Sequence, residues 1–137
     1  MRRSVDLKVT EVTIHVALAE LLERSKRSAD ALEVLEEASA IAPRNAAVRY
    51  LRGLVLSSLR RYEAALVALE AALEGKPSEN LSVSIRRAQG QCHLQLGNPE
   101  SALEALEWIL SRHPEHPEAA GLEEVVRAIR AGGIRSR

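Results

Sequence analysis

The chain has 137 residues, a length that suits one compact domain. Lys plus Arg number 19 and Asp plus Glu number 19, so no net basic field draws the chain toward nucleic acid or an acidic membrane surface. Hydrophobic residues make up 46%, which excludes global disorder, and with no Phe, two Tyr and one Trp the core must be built from Leu, Ala, Val and Ile.

Residues 1–11 read as a lead-in. Arg2 and Arg3 stand near the start, but Asp6, Lys8, Glu11 and His15 interrupt any apolar run, so no secretory signal is predicted. No later run reaches the length of a membrane-spanning helix. Cys92 is the only cysteine and has no intramolecular disulfide partner. These features point to a cytoplasmic protein with no membrane partner.

From residue 12 onward the chain is rich in Ala and Leu, both strong helix formers. Pro43, Pro77 and Pro114 each close such a stretch, at spacings of 34 and 37 residues. The middle stretch runs from Ala46 to Lys76. A first helix holds Gly53, a turn falls at Leu59–Arg61, and a second helix holds Tyr62, Ala65, Leu69 and Ala72. The first stretch repeats this order with Ala19, Ala31, Leu35, Ala38 and Pro43. The third repeats it with Gly90, Ala102, Leu106, Ile109 and Pro114, with Gly97 in its turn. Small residues at Ala19, Gly53 and Gly90 suit the close crossing of two antiparallel helices. Asn98 is placed to cap the third unit's second helix, with Pro99 at its first position.

This pattern resembles the tetratricopeptide repeat, whose period is 34 residues. The resemblance implies an all-α fold, an α-α superhelix of three helix-turn-helix repeats at residues 12–43, 46–77 and 83–114. A capping helix is predicted over 117–131, where Leu122, Val125, Val126 and Ile129 form one apolar stripe, followed by a tail at 132–137. The sequence departs from the family at His15, Arg49 and Arg86, and at Leu22, Leu56 and His93, where aromatic residues are usual.

The same resemblance implies that the first helices line a concave groove that holds another protein's peptide or helix. Register places Val16, Glu20, Tyr50, Leu54, Ser57, Arg87, Gln91 and Leu94 in that groove, beside Thr13, Glu23, Arg24, Ala47, Ser58, Ser84 and Gln95. Tyr50 is the expected anchor, since aromatic residues carry a large share of binding energy. Some relatives grip acidic chaperone tails with Lys, Asn and Arg. The matching positions here are Val16, Glu20, Leu51, Ser84 and Ala88, so no such tail binding is expected. An adaptor, scaffold or co-chaperone is the leading reading. A chaperone like those of type III secretion translocators and an RNA-binding helical repeat are the alternatives, and self-association is left open.

Other chemistry has little support. His113 and His116 form an H-x-x-H around Glu115, short of the four ligands of structural zinc, and the adjacent Cys92 and His93 point apart on a helix. No metalloprotease, hydrolase or phosphate-binding signature is present, so neither a catalytic residue nor a cofactor is expected. Arg60, Arg61, Arg86, Arg87, Arg127, Arg130, Arg135 and Arg137 could form a basic stripe, but no aromatics interleave with them for base stacking. Trp108 lies off the Ala/Leu stripe and is expected to pack under the C-terminal helix.

Overall fold

No glycine or proline occurs before Pro43, and the first helix accordingly runs unbroken. The structure, a computed structural model, describes residues 2–132, with side chains from residue 7. Helix α1 spans Arg2–Arg24, so the lead-in is helical from Arg2. The predicted tail lies outside the described residues from 133 onward. Among the described residues the structure is all-helical and divides into two compact units, residues 1–77 and 78–137.

In unit 1, α1 is followed by α2 (Ser28–Ile41), α3 (Ala46–Ser58) and α4 (Tyr62–Glu74). Helices α1 and α2 pair, α3 and α4 pair, and α2 and α1 both touch α3. The core joins Val12, Ala19, Ala31, Leu35, Ala38, Val48 and Val55. Leu69, Ala65 and Ala72 of α4 are fully buried as well. Gly53 explains the close crossing of α3 and α4: a Cβ there would stand 2.7 Å from Leu69 Cγ and 3.4 Å from the Ala65 carbonyl oxygen.

Unit 2 contains α5 (Glu79–Gln95), α6 (Pro99–Arg112), a 3-10 turn (Pro117–Ala119) and α7 (Leu122–Arg130). Helix α5 begins earlier than the predicted residue 83, because Ser78 accepts the Leu81 amide and caps a further turn. That turn accounts for the longer spacing: α5 has 17 residues where α3 has 13. The core joins Val83, Ala102, Leu106, Ile109, Ala119, Leu122, Val126 and Ile129. The predicted continuous helix over 117–131 is broken. His116 accepts the Glu118 amide and seeds the 3-10 turn, and Gly121, at φ 84°, separates that turn from α7.

The turns within the repeats share one design. Lys26, Arg60 and Gly97 sit at φ 61°, 63° and 76°. After each, the amides of Arg27, Arg61 and Asn98 bond the carbonyls of Leu22, Leu56 and His93, all at 2.8 Å. This is the Schellman closure, which satisfies carbonyls left over at a helix end. It also corrects the expected Asn98 cap. Asn98 occupies the N-cap position before Pro99, but its backbone, at ψ 73°, belongs to the preceding turn and its side chain makes no cap bond. Asn45, with ψ 118°, does cap α3 through the Val48 amide.

Candidate partner-binding surface

Five of the eight expected groove residues lie in unit 1, on α1 and α3. Val16 and Leu51 pack against the core, Tyr50, Leu54 and Ser57 are half-buried, and Glu20 is exposed. Glu23 joins the helices, since its carboxylate accepts hydroxyl bonds from Ser58 on α3 and Ser28 on α2. Thus α1 and α3 carry both apolar and acidic members of the expected groove.

The other three lie on α5 in unit 2. Arg87 and Gln91 are exposed, and Leu94 packs against the unit's core. Ser84 donates to the Glu118 carboxylate at 2.9 Å, which ties α5 to the 3-10 turn. Arg86 is not part of an open basic stripe. It is half-buried, with its guanidinium 5.0 Å from the centre of the Trp108 ring. Trp108 packs against the unit 2 core, and Arg112 and His113 also contact its ring, each at 5.5 Å. Arg135 and Arg137 lie outside the described residues.

The remaining candidates have partners of their own. His113 Nε2 is 2.8 Å from the Glu79 carboxylate, within ion-pair distance but off hydrogen-bond geometry. His116 accepts the Glu118 amide at Nδ1 and donates from Nε2 to Asn80. Among the described residues no three His, Cys, Asp or Glu gather as a metal site. Cys92 is buried. No helix among the described residues is long and apolar enough to cross a membrane.

Two features were missed from the residue pattern. The first is a cleft of about 670 Å³ between α2, α3 and α4, with Leu56, Ala68 and Ala71 on its walls beside Arg49, Arg52 and Arg61. It is open because small residues of α4 face it, which a helical period alone does not reveal. The second is the outer side of α1, where Leu7, Ile14, Leu18 and Leu21 are exposed.

Sequence profiles of the tetratricopeptide repeat match residues 16–80 and 56–125. No curated protein matches the sequence. Several solved structures share the fold. The type III secretion translocator chaperone SycD of Yersinia enterocolitica superposes with a TM-score of 0.77 at 16% identity, covering 89% of this chain and 85% of that one. PcrH, in complex with the chaperone binding region of PopD, gives 0.76 at 18%, covering 97% and 96%. The second such repeat domain of human RPAP3, in complex with an HSP70 peptide, gives 0.74 at 15%, covering 88% and 98%.

Proposed function

The chain belongs to the tetratricopeptide-repeat family, and from that premise we propose that it is a non-catalytic adaptor whose repeats hold a segment of another protein. One observation carries this reading. Helices α1 and α3 of unit 1 are neighbours, and they carry half-buried Val16, Tyr50 and Leu54 and exposed Glu20. Such a face suits a peptide or helix with apolar anchors, with a cationic group opposite Glu20. An acidic chaperone tail is not the proposed ligand, because Glu20 would repel it. Arg87, Gln91 and Leu94 on α5 are proposed as unit 2's contribution to partner binding.

Capture of partners from cells of the source organism, followed by mass spectrometry, tests the face. Wild type is compared with Tyr50→Ala/Leu54→Ala and with Glu20→Lys, each checked for unchanged helicity. Proteins held by wild type and lost by both variants support the α1–α3 face. Equal retention by all three chains removes it.

A second reading is favoured by the nearly full mutual coverage with PcrH. On this reading the chain is a chaperone for a secreted translocator protein. Co-expression with a translocator encoded beside it should then keep that protein soluble. The nucleic-acid reading has less support, since Arg86 is engaged with Trp108.

A further inference from the structure

Helix α1 has two apolar sides, and unit 1 uses one of them. Val12 and Ala19 are buried in the core, with Val16 packed beside them. At 100° per residue, Leu7, Ile14, Leu18 and Leu21 share a sector about 60° wide on the opposite side. They are 65%, 59%, 43% and 58% exposed. Helix α7 in unit 2 shows the ordinary arrangement: Leu122, Val126 and Ile129 are buried, while Glu123, Glu124, Arg127 and Arg130 face water. A row of four large exposed apolar side chains on one helix marks an interaction surface.

We propose that this stripe is a homodimer interface, in which α1 packs antiparallel against α1 of a second copy about a two-fold axis at Ile14. The argument for a second copy lies in the spacing. A symmetric dimer needs one patch that complements itself. Leu7 and Leu21 each stand seven residues from Ile14. A two-fold axis at Ile14 therefore sets Leu7 against Leu21 of the partner subunit and Ile14 against Ile14 of the partner subunit. Thr10 and Ala17 flank the stripe and are small enough for the helices to approach. The antiparallel sense opposes the two helix dipoles.

The area is adequate. Helix α1 has 23 residues, or about 35 Å at the usual rise. Two packed helices of that length bury roughly 600–800 Å² per copy, near the standard size for a specific interface. Interfaces of this area hold dimers in the micromolar range or tighter.

Analytical ultracentrifugation of the full chain, over roughly 1–200 µM, reads the equilibrium. Wild type should pass from monomer to dimer across that range. Ile14→Glu should weaken the dimer about 100-fold or more, because it would bury two carboxylates face to face. Its helicity should not change, since Ile14 is 59% exposed in one copy. The register has its own test. Oxidation of a mixture of the Leu7→Cys and Leu21→Cys chains should link one of each, whereas oxidation of Leu7→Cys alone should link few. Strong linking of Leu7→Cys to itself would overturn the antiparallel pairing. A wild type that stays monomeric throughout, or an Ile14→Glu chain that dimerises as wild type does, would overturn the interface. The stripe excludes Val16, Tyr50 and Leu54, so loss of the dimer and loss of the partner are separable outcomes.

Discussion

His15, Arg49 and Arg86 stand one repeat apart, and each reaches the second helix of its own repeat by different chemistry. His15 Nε2 donates to Glu37 at 3.1 Å, Arg49 Nη1 donates to the Ala71 carbonyl at 2.6 Å, and Arg86 stacks on Trp108. Glu37, Ala71 and Trp108 are themselves one repeat apart. Thus polar residues bridge the helix pairs where an aromatic would otherwise pack, and only the first bridge titrates near neutrality. The Nδ1 of His15 also faces an acceptor, the Glu11 carbonyl at 2.7 Å. A neutral imidazole has one N–H and can satisfy only one of these acceptors, so the arrangement favours the doubly protonated ring. The Glu11 carbonyl is the main cause, and the Glu37 carboxylate adds to it, raising the pKa above the usual 6.5. A raised folded-state value means that folding takes up a proton. The stabilisation is full below the unfolded pKa and fades as pH rises through the folded one. His15→Gln should therefore lower the urea midpoint at about pH 5.5 and matter less at about pH 8. An equal loss at both pH values would remove the charge from the argument. Gly53 makes a prediction of the opposite kind, because its environment is rigid. Leu69 is fully buried and stands 2.7 Å from where a Cβ would go. Overpacking costs about 1–3 kcal/mol, and alanine's better helix propensity returns up to about 1. Gly53→Ala should thus destabilise by about 1–2 kcal/mol in urea melts. Gly90→Ala should cost less, since its nearest contact is the outer methyl of Leu106 at 2.9 Å. A stabilised Gly53→Ala would refute the close crossing.

At the scale of the element, the turns carry the most testable physics. Lys26 and Arg60 are side-chain-bearing residues in the left-handed region, and both are exposed. A β-carbon there costs roughly 1–2 kcal/mol, partly offset by the backbone entropy that glycine loses on folding. Arg60→Gly should raise stability by about 0.5–1 kcal/mol, read as a higher denaturant midpoint at unchanged slope. An unchanged midpoint would mean that the Arg60 side chain offsets its own strain. The third repeat already has Gly97 at this position. These turns also show what the sequence could convey. The proline spacing and the Ala/Leu order located α2 to α6 because both repeat with the packing that they serve. The αL residues were not legible at Lys26 and Arg60, since only glycine announces that conformation in sequence. The start of α1 was not legible for a related reason: residues 2–11 carry no breaker and have no counterpart in the other two repeats. The break before α7 turned on Gly121 and on a histidine side chain that accepts a backbone amide, a local bond that an apolar stripe does not encode.

Charge makes the last prediction one about the whole chain. The formal net charge is zero, with a sequence pI near 6.9. Of the arginines that could have formed a basic stripe, Arg86 is drawn onto Trp108 and Arg130 pairs with Glu107. The proposed face on α1 and α3 rests on repeat register, which assigns a side of each helix but not what binds there. Glu20 is exposed, as that proposal needs, whereas the hydroxyl bonds holding Glu23 required coordinates. A partner held there would be gripped mainly by apolar contact around Tyr50 and Leu54. Its affinity should therefore change only a few-fold between about 50 and 200 mM salt, because few counterions are released. A nucleic-acid site making 6–10 phosphate contacts would lose about 10³–10⁵ over the same range. Fluorescence anisotropy with a labelled single-stranded RNA of mixed sequence, at about 50 mM salt, makes the comparison direct. The expected result is no saturable binding at concentrations where a captured protein partner saturates. Saturable RNA binding that collapses as salt rises would instead place the chain among nucleic-acid-binding helical repeats, and the α1–α3 face would lose its assigned role.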